Sequence, residues 1–438
     1  MAWNTDTARA LTETFDDAFV APGVVIAAAC IDEAGAAIQV SPGDTPADGR
    51  FEIGSITKTM TATLLTLLEA EGKLRLDDEV GRWVSAGPNG AITLRQLATH
   101  TSGLSRLAPN VNAGRPVDPE NPWAGHGFEQ AEEGLRQAVP DPDRLHRYSN
   151  HGYHLLGLVL ERASGRSYAE LITEALLAPL AMTCSGVGSS GGGTRLPGHA
   201  DLGPVPHWDQ PLGAGGIEAT IGDLARYGEA CLRPPRSPLG TALAAAQEPQ
   251  IPVENGQQAL AWGVRENGIR AHSGGTGGFS SALLIDPGGD RVVAMLASYG
   301  GCAAALGKAG LLALTGRDPR TARPQPPGPE WDDRAREIVR LLLDGQAAEV
   351  HVRTTATFQE KISAEQVDKA VRHSTQHLGS VTEVRVHCRS SGDHVFAVAK
   401  AVFATGAVDL RISFTPEGEI AGLRVFRPAK PSEAAEHD

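Results

Sequence analysis

Strand-like segments stand at both ends of a long helix-rich stretch in the first part of this sequence. The apolar run at 23–40 turns at residues 33–35 and predicts a hairpin. The run at 268–298, with a turn at 287–289, predicts further strands, whereas helix signals dominate from about 56 to 250. This order indicates an α/β (α+β) fold in which both ends of the region form one antiparallel sheet, with a helical subdomain inserted between them.

A proline-rich segment divides the chain of 438 residues. Residues 317–329 contain five prolines and few apolar side chains, which is typical of a stiff linker. The sequence therefore predicts a large domain at 1–316 and a small one at 330–438. The length is sufficient for two or three domains with a large buried core.

The region after the linker predicts a small α+β domain. An apolar face at 332–345 and a capping-box pattern, Ser363 followed by Gln366, indicate two helices, the second reaching about Leu378. Three strand-like runs then fill 380–426. This pattern resembles the cone-shaped domains of the nuclear-transport-factor-like (NTF2-like) class. The resemblance implies dimerisation, or covering of the pocket mouth, as its task, with plain packing as the alternative.

The composition excludes several classes of partner. The formal net charge is −13, and nucleic acids and anionic membranes both select basic surfaces. The apolar run at 23–31 is well short of a membrane span. The N-terminal residues show no basic segment followed by an apolar one, and the five cysteines are scattered without a Cys-x-x-Cys pair. We therefore expect a cytoplasmic protein with free thiols that binds neither nucleic acid nor membrane.

Ser55 and Lys58 stand one helical turn apart at the head of an apolar, helix-like segment. On a helix, positions i and i+3 share a face, so the hydroxyl and the amine can meet. A serine hydroxyl needs a base to become a nucleophile. A lysine partly buried in an apolar site has a lowered pKa and can serve as that base. The pair alone is a weak signal, because an N-capping serine followed by a solvated lysine has the same spacing.

Two further motifs accompany this pair. Residues 148–150 read Tyr-Ser-Asn ahead of a helical apolar pattern, and residues 272–274 read His-Ser-Gly on a predicted strand. Together with Gly-Ser-Ile-Thr-Lys at 54–58, they resemble the serine β-lactamase and penicillin-binding protein superfamily. The resemblance is closest to the branch of class C β-lactamases, D-Ala-D-Ala peptidases, family VIII esterases and acyltransferases. It extends over residues 10–315 and includes the segments 94–104, 148–172 and 213–227.

The resemblance implies a role for each of these residues. Ser55 is expected to be the nucleophile that forms the acyl-enzyme, and Lys58 the neighbouring proton acceptor. Tyr148 is expected to carry a proton to and from the leaving group, and the motifs do not decide whether Lys58 or Tyr148 is the first base. Asn150 is expected to hold the lysine or the substrate amide by hydrogen bonds. The backbone N–H groups of Ser55 and Gly275 are expected to form the oxyanion hole.

The third motif departs from that of the penicillin-specific members. They commonly carry Lys-Thr-Gly, whose lysine helps to bind the substrate carboxylate, whereas this chain has His272, Ser273 and Gly274 as its expected substrate-binding residues. A histidine with an ordinary pKa is largely neutral at pH 7. We therefore expect no fixed cation beside the scissile bond and weak turnover of β-lactams. Esterase and acyltransferase relatives often carry histidine here; a purely structural histidine is the alternative.

Trp208 and three histidines are further candidates. Trp208 lies in a segment that resembles the family loop entering the pocket, so it is expected either to face the substrate or to be a buried structural residue. His146, His151 and His154 cluster around the tyrosine motif and invite a metal-site interpretation. No acidic or cysteine ligand falls at a matching spacing, and a Ser-Lys-Tyr site needs no metal. We therefore expect neither a metal nor another cofactor.

These motifs predict an acyl-serine enzyme acting on an ester or amide of a small molecule. The acyl group is expected to pass to water, as in an esterase or amidase, or to an amine or alcohol, as in a transacylase of natural-product tailoring. One alternative is a β-lactamase or D-Ala-D-Ala carboxypeptidase. Another is a non-catalytic, penicillin-recognising sensor, although a pure binder has no need for the complete Ser-Lys-Tyr-Asn set. A homodimer formed through residues 330–438 is also expected.

Overall fold

The structure, a computed structural model, describes residues 3–15, 23–111, 121, 123–201, 203–323, 327–391 and 394–426. These residues separate into two compact units. Nearly all residues up to 323 form the first unit, and the residues from 327 onwards form most of the second. No helix among the described residues is long and apolar enough to cross a membrane.

Up to residue 323, strands lie on both sides of a helix-rich stretch, as the sequence predicts, although one helix precedes these strands, another follows them and several short strands interrupt the stretch. The strands are β1 (Ile26–Asp32), β2 (Gly35–Ser41), β3 (Phe51–Glu52), β4 (Gly186–Val187), β5 (Gly198–Ala200), β6 (Gly203–Val205), β7 (Ile217–Ala219), β8 (Ile251–Val253), β9 (Gly256–Gln258), β10 (Gly263–Val264), β11 (Arg270–Gly275), β12 (Ser280–Asp286) and β13 (Arg291–Ala297). The helices are α1 (Trp3–Phe15), α2 (Thr57–Ala70), α3 (Leu94–Ala98), α4 (Phe128–Gln137), α5 (Asn150–Ser164), α6 (Tyr168–Ile172), α7 (Leu212–Gly215), α8 (Ile221–Leu232), α9 (Pro238–Ala246) and α10 (Ala303–Leu314).

One antiparallel sheet joins the two ends of this region. Its strand order is β2-β1-β13-β12-β11-β10-β9-β8. Strand β1 pairs with β2 in the predicted hairpin and with β13 on its other side, where Ile26 lies opposite Ala297 and Ile31 opposite Val292. The hairpin of β12 and β13 also turns where the sequence predicts. The predicted sheet from both ends, with a helical subdomain between them, is therefore confirmed.

Both faces of the sheet are buried at β1, which explains the continuous apolar run of this strand. Ala27, Ala29 and Ile31 face the core shared with the helical subdomain. Ala28 and Cys30 face a second core, which α1 and α10 cover. Side chains alternate across a strand, so a strand covered on both sides carries apolar residues at every position. The sheet is thus the middle layer of the first unit.

Helix α2 runs through the core of the helical subdomain, and nearly all of its side chains are buried. Its polar positions include threonines whose hydroxyl groups bond to neighbouring backbone. Thr61 Oγ1 lies 2.7 Å from Gly213 O in α7, and Thr66 Oγ1 lies 2.9 Å from Ala242 O in α9. A buried hydroxyl with a hydrogen bond avoids the cost of an unpaired polar group. These bonds fix α2, and with it the residues at its N-terminus.

The second unit combines helices with one antiparallel sheet of strand order β14-β15-β16-β17. The predicted capping box is present: Gln366 N donates to Ser363 Oγ at 3.2 Å, and Ser363 N donates to Gln366 Oε1 at 2.8 Å. The elements are α11 (Pro329–Leu343), α12 (Ala347–His351), α13 (Ala356–Lys361), α14 (Ala364–Thr375), β14 (Val381–Ser391), β15 (His394–Phe403), β16 (Gly406–Phe414) and β17 (Ile420–Phe426).

Three details of the second unit differ from the sequence prediction. The short helices α12 and α13 were not predicted, the last strand-like run contains two strands, and α14 ends at Thr375 rather than near Leu378. Helices of five or six residues have too few turns to show an apolar period. The likeness of this unit to the NTF2-like class stays a prediction.

The beginning of the predicted linker packs against the first unit. Pro319–Ala322 forms a short 3-10 helix that contacts α1 and α10, and Ala322 is buried there. Residues 324–326 lie outside the described residues. The packed part of the first unit therefore extends past residue 316, where the sequence places its end.

Each unit encloses an apolar core of its own, so a chain ending at Arg323 is expected to fold. The truncated chain should unfold in one cooperative thermal transition measured by circular dichroism. A fluorophosphonate probe should label it at a rate close to that of the full chain, which is the control. Insolubility, or melting without a cooperative transition, would contradict the independence of the two cores.

Candidate active site

Ser55 lies in a tight turn between strand β3 and helix α2. Residues 54–56 form one 3-10 turn, in which Gly54 has a φ of +50°, a left-handed conformation that favours glycine. A Cβ atom on Gly54 would also lie 2.8 Å from the backbone nitrogen of Gly275 in β11. Both the conformation and the close approach therefore require glycine at 54. The turn holds Ser55 beside β11, with its side chain half-buried.

The hydroxyl of Ser55 meets both side chains that are expected to act on its proton. Lys58 Nζ lies 3.0 Å from Ser55 Oγ, and Tyr148 OH lies 2.6 Å from the same oxygen. Lys58 is fully buried, and its amine donates a second hydrogen bond, 2.7 Å long, to the carbonyl oxygen of Ala214. The alternative of an ordinary solvated lysine does not occur in this structure.

Tyr148 is held in place by the residues that begin α5. Ser149, the N-cap of this helix, donates a hydrogen bond from its hydroxyl to Ser105 O at 2.8 Å. The backbone N–H of Asn150 donates to Arg106 O at 3.0 Å. Helix capping and these two bonds join the loop before residue 107 to the start of α5. The position of the phenol therefore depends on the end of a helix and on a loop fixed to it.

Burial sets the protonation of both partners of Ser55. Burial, and secondarily the charge of Arg106, lowers the pKa of Lys58 well below its ordinary value. Burial raises the pKa of Tyr148 to about 12, although the hydrogen bond with Ser55 and the charge of Arg106 act in the opposite direction. The site therefore favours a neutral amine, which accepts a proton, beside a protonated phenol, which donates one.

Strand β11 brings the third motif against the backbone of Ser55. A Cβ atom on Gly274 would lie 2.0 Å from Ile53 O and 2.9 Å from Ser55 N. The strand and the turn touch only because this residue is glycine. The contact places the backbone of Ser55 beside that of Gly274 and Gly275, the two residues that end the strand.

His272 lies half-buried on β11, with its ring centroid 6.4 Å from that of Tyr148. Its Nδ1 lies 2.8 Å from Ser273 O, and Nδ1 must donate in this bond because a carbonyl oxygen only accepts. Burial and the nearby Lys58 lower the pKa of His272 to about 3. The imidazole is therefore neutral at pH 7, with Nε2 as its acceptor, while the side chain of Ser273 is exposed.

Asn150 and Trp208, two of the expected substrate-binding residues, differ in their neighbours. Within the described part of the chain, the Asn150 side chain forms no hydrogen bond, and Lys58 is bonded to Ala214 O instead of to this amide. The Trp208 ring lies against Gly277, where an added Cβ atom would be 2.5 Å from two of its atoms. The backbone N–H of Trp208 donates to Glu52 Oε1 at 3.2 Å. Asn150 thus keeps its amide for another partner, and Trp208 stands half-buried beside the β11–β12 turn.

The three histidines near the tyrosine motif have separate neighbours. His146 Nε2 lies 3.2 Å from Gln258 Oε1, and His151 Nε2 lies 2.9 Å from Ala131 O. The ring of His154 packs on that of Phe128, with 5.1 Å between the centroids.

Among the described residues, the side chains grouped most like metal ligands are instead Glu52, His207 and Glu218. Arg50 and Arg195 form ion pairs with Glu218 there, so much of the negative charge is already compensated.

His100 contacts Tyr148 but was not singled out in the sequence. Its buried ring lies 4.6 Å from the ring of Tyr148 and 5.1 Å from that of Tyr153, centroid to centroid. Its Nδ1 accepts a hydrogen bond from Ser149 N at 3.1 Å, and burial lowers its pKa well below the ordinary value. The only sequence signal was its place in the family-like segment 94–104, which assigns it no role.

Arg106 is the second residue that the sequence did not reveal. Its guanidinium carbon lies 5.4 Å from the centroid of the Tyr148 ring. The sequence prediction of no fixed cation near the reacting groups rested on the third motif alone. The neutral state of His272 agrees with that reasoning, but a different loop brings a cation to Tyr148.

The fold and the Ser-Lys-Tyr arrangement define a serine enzyme of the kind that the motifs resemble. The family model described as "Beta-lactamase" matches residues 19–315. The chain therefore belongs to the β-lactamase family, within the superfamily of serine β-lactamases and penicillin-binding proteins, whose members are acyl-serine hydrolases.

Two curated relatives match part of the chain. "Penicillin-binding protein 4*" of Bacillus subtilis is 34% identical over 140 residues, which are 30% of this chain and 29% of that protein. "D-alanyl-D-alanine-carboxypeptidase/endopeptidase AmpH" of Escherichia coli is 32% identical over 188 residues, 41% of this chain and 48% of that protein. The matched regions thus span less than half the length of either relative.

Two solved structures share the fold. A class C β-lactamase in complex with cefoxitin has a TM-score of 0.58 and 22% identity, covering 68% of this chain and 94% of its own. The octameric penicillin-binding protein homologue from Pyrococcus abyssi has a TM-score of 0.59 and 19% identity, covering 93% of this chain and 90% of its own. At such identities the likeness concerns the fold alone.

Buried neutral histidines should make the first unit sensitive to acid. Burial lowers the pKa of His154 to about 3 and that of His151 to about 4. In the unfolded chain each ring binds a proton below about pH 6.5. Unfolding therefore takes up protons as the pH falls from 6.5 towards these folded-state values. Each ring then lowers the free energy of unfolding by up to about 1.4 kcal/mol per pH unit.

The variant His154→Phe should reduce this dependence, measured as the slope of the free energy of unfolding between pH 6.5 and 4.5. The matched change His373→Phe, at an exposed histidine of α14, is the control and should keep the wild-type slope. Equal slopes in all three proteins would show that His154 does not carry the effect.

Proposed function

We propose that this protein is an acyl-serine enzyme that cleaves an ester or amide of a small molecule. The observation that carries the proposal is the position of Ser55 Oγ, 3.0 Å from Lys58 Nζ and 2.6 Å from Tyr148 OH. A base and an acid that both lie within hydrogen-bond reach of the same nucleophile are the set that acyl transfer needs.

In the proposed first step, Ser55 Oγ attacks the substrate carbonyl and its proton passes to the neutral amine of Lys58. The backbone N–H groups of Ser55 and Gly275 stabilise the oxyanion that forms. The carbon–oxygen or carbon–nitrogen bond to the leaving group then breaks, and Tyr148 delivers a proton to that group. The ammonium of Lys58 then returns its proton to the Tyr148 phenolate, so the acyl-enzyme is formed with both side chains back in their starting protonation states.

In the second step, water, an amine or an alcohol attacks the acyl-enzyme by the reverse path. Asn150 is a substrate-binding candidate because its amide is not used within the described residues. His272, Ser273 and Trp208 are proposed to line the pocket. We infer hydrolysis or transacylation rather than β-lactam turnover, because the neutral His272 offers a carboxylate less attraction than a lysine.

The second candidate is a D-Ala-D-Ala carboxypeptidase or β-lactamase. The name of the Escherichia coli relative favours it, as does the family itself. The non-catalytic sensor is disfavoured by the buried amine, since a pure binder gains nothing from it. A cytoplasmic location and a dimer formed through residues 330–438 stay predictions.

The roles of Lys58 and Tyr148 predict non-additive kinetics. Lys58→Ala and Tyr148→Phe should each lower kcat/KM for an aryl ester by roughly a hundredfold or more, as expected for groups that move the proton. The double variant should lose much less than the product, because the two residues act on one proton path. Ser55→Ala gives the background rate. Losses that multiply would show two independent roles and contradict the relay.

The neutral third motif predicts the order of substrates. A short-chain aryl ester should have a higher kcat/KM than a chromogenic cephalosporin, because only interactions that strengthen in the transition state raise the rate. His272→Lys should shift this ratio towards the cephalosporin. If the cephalosporin is the better substrate of the wild type by tenfold or more, the β-lactamase candidate replaces the proposal.

A further inference from the structure

Arg106 presents a positive charge beside the reacting groups. Its guanidinium lies over the ring of Tyr148, whose hydroxyl contacts Ser55 Oγ. One aromatic ring therefore separates this cation from the nucleophile. The side chain is exposed, so a molecule entering from solvent can reach it.

The backbone at this position is fixed although the side chain is not. Arg106 O accepts hydrogen bonds from Asn150 N at 3.0 Å and His151 N at 3.4 Å, and Ser105 O accepts one from the Ser149 hydroxyl. These bonds seat the residue on the N-terminus of α5. The backbone of Arg106, from which the side chain extends, is therefore held at a fixed distance from the candidate active site.

No carboxylate of the described residues pairs with Arg106. Other arginines of the same region do have partners: Arg147 pairs with Asp141 at 2.6 Å, and Arg144 donates to Gln96 at 2.8 Å. The chain carries 52 acidic against 39 basic residues, so partners for a cation are plentiful. A guanidinium without a carboxylate partner among the described residues keeps its N–H donors available for a ligand.

The chemistry of the guanidinium selects the ligand. Its planar set of N–H donors fits the two oxygens of a carboxylate, and such charge-assisted bonds are stronger than neutral ones. No group of the described residues accepts a hydrogen bond from the Arg106 side chain, whose guanidinium carbon lies 5.4 Å from the Tyr148 ring centroid, so its N–H donors are free to bind a carboxylate. His272, on β11, is neutral. The positive charge thus stands on the α5 side of Tyr148 rather than on the strand where penicillin-specific relatives carry it.

We propose that Arg106 is a specificity-determining residue that binds a carboxylate of the substrate, on the α5 side of the pocket. The preferred substrate class is then an ester or amide that carries a carboxylate away from the scissile bond. This inference rests on the acyl-serine function proposed above.

Two pairs of substrates test it with the full-length protein. 4-Nitrophenyl hexanoate and the 4-nitrophenyl half-ester of adipic acid have acyl chains of equal length, and only the second ends in a carboxylate. Phenyl acetate and 3-acetoxybenzoate place the charge on the leaving group instead. In at least one pair, the wild type should favour the charged member in kcat/KM by roughly tenfold, the effect of one charge-assisted hydrogen bond.

Arg106→Gln should remove most of that preference and Arg106→Lys should retain part of it, with the change appearing mainly in KM. The control is Arg75→Gln, an exposed arginine beyond the far end of α2, which should leave both ratios as in the wild type. Raised ionic strength should lower the wild-type preference.

Two failures are distinguishable. If Ser55 is acylated by the neutral esters but neither ratio responds to Arg106→Gln, the inference is wrong and the acyl-serine function stands. If intact mass spectrometry finds no acyl adduct with any of the four esters or with a fluorophosphonate, the proposed function itself fails.

Discussion

The burial of the Lys58 amine is the constraint on which the rest of this site depends. A charged lysine without access to solvent is costly, so burial of Lys58 favours its neutral form. The neutral form is stable only because Ser55 Oγ and Ala214 O lie where the nitrogen needs them. This requires α2 to be buried, which its packing against α5, α7 and α9 achieves.

The groups around Ser55 come from the ends of elements that two layers hold in place. Helix α2 supplies the lysine, the start of α5 supplies the tyrosine, and the last residues of β11 supply the third motif. The helices belong to the subdomain and the strand to the sheet, so the pocket forms where these layers meet. Rigid elements position reactive groups more closely than free loops can. The loop that carries Arg106 is tied to α5 by hydrogen bonds and gains the same rigidity.

Patterns that are local in sequence predicted much of this arrangement. The apolar runs at 23–40 and 268–298 predicted the strands of one sheet, and the spacing of Ser55 and Lys58 predicted a shared helical face. His100 and Arg106 escaped because their contacts with Tyr148 join residues more than 40 positions apart without a repeating pattern. The short helices α12 and α13 escaped because their length shows no period. The hydrogen bond from Lys58 to Ala214 O could likewise not be predicted, because any backbone carbonyl can accept such a bond.

The glycines that let β11 touch the Ser55 turn affect how such a chain can diverge. One methyl group at Gly54 or Gly274 would collide with backbone atoms and push the strand away from the nucleophile. A substitution at either position would therefore give an inactive protein, so neither position can change by single steps during evolution. The side chains of Asn150 and Arg106 have no such backbone collision to avoid and can be exchanged singly. New substrate specificities should thus arise by substitution of residues such as Asn150 and Arg106, while the contact between β11 and the Ser55 turn stays as it is.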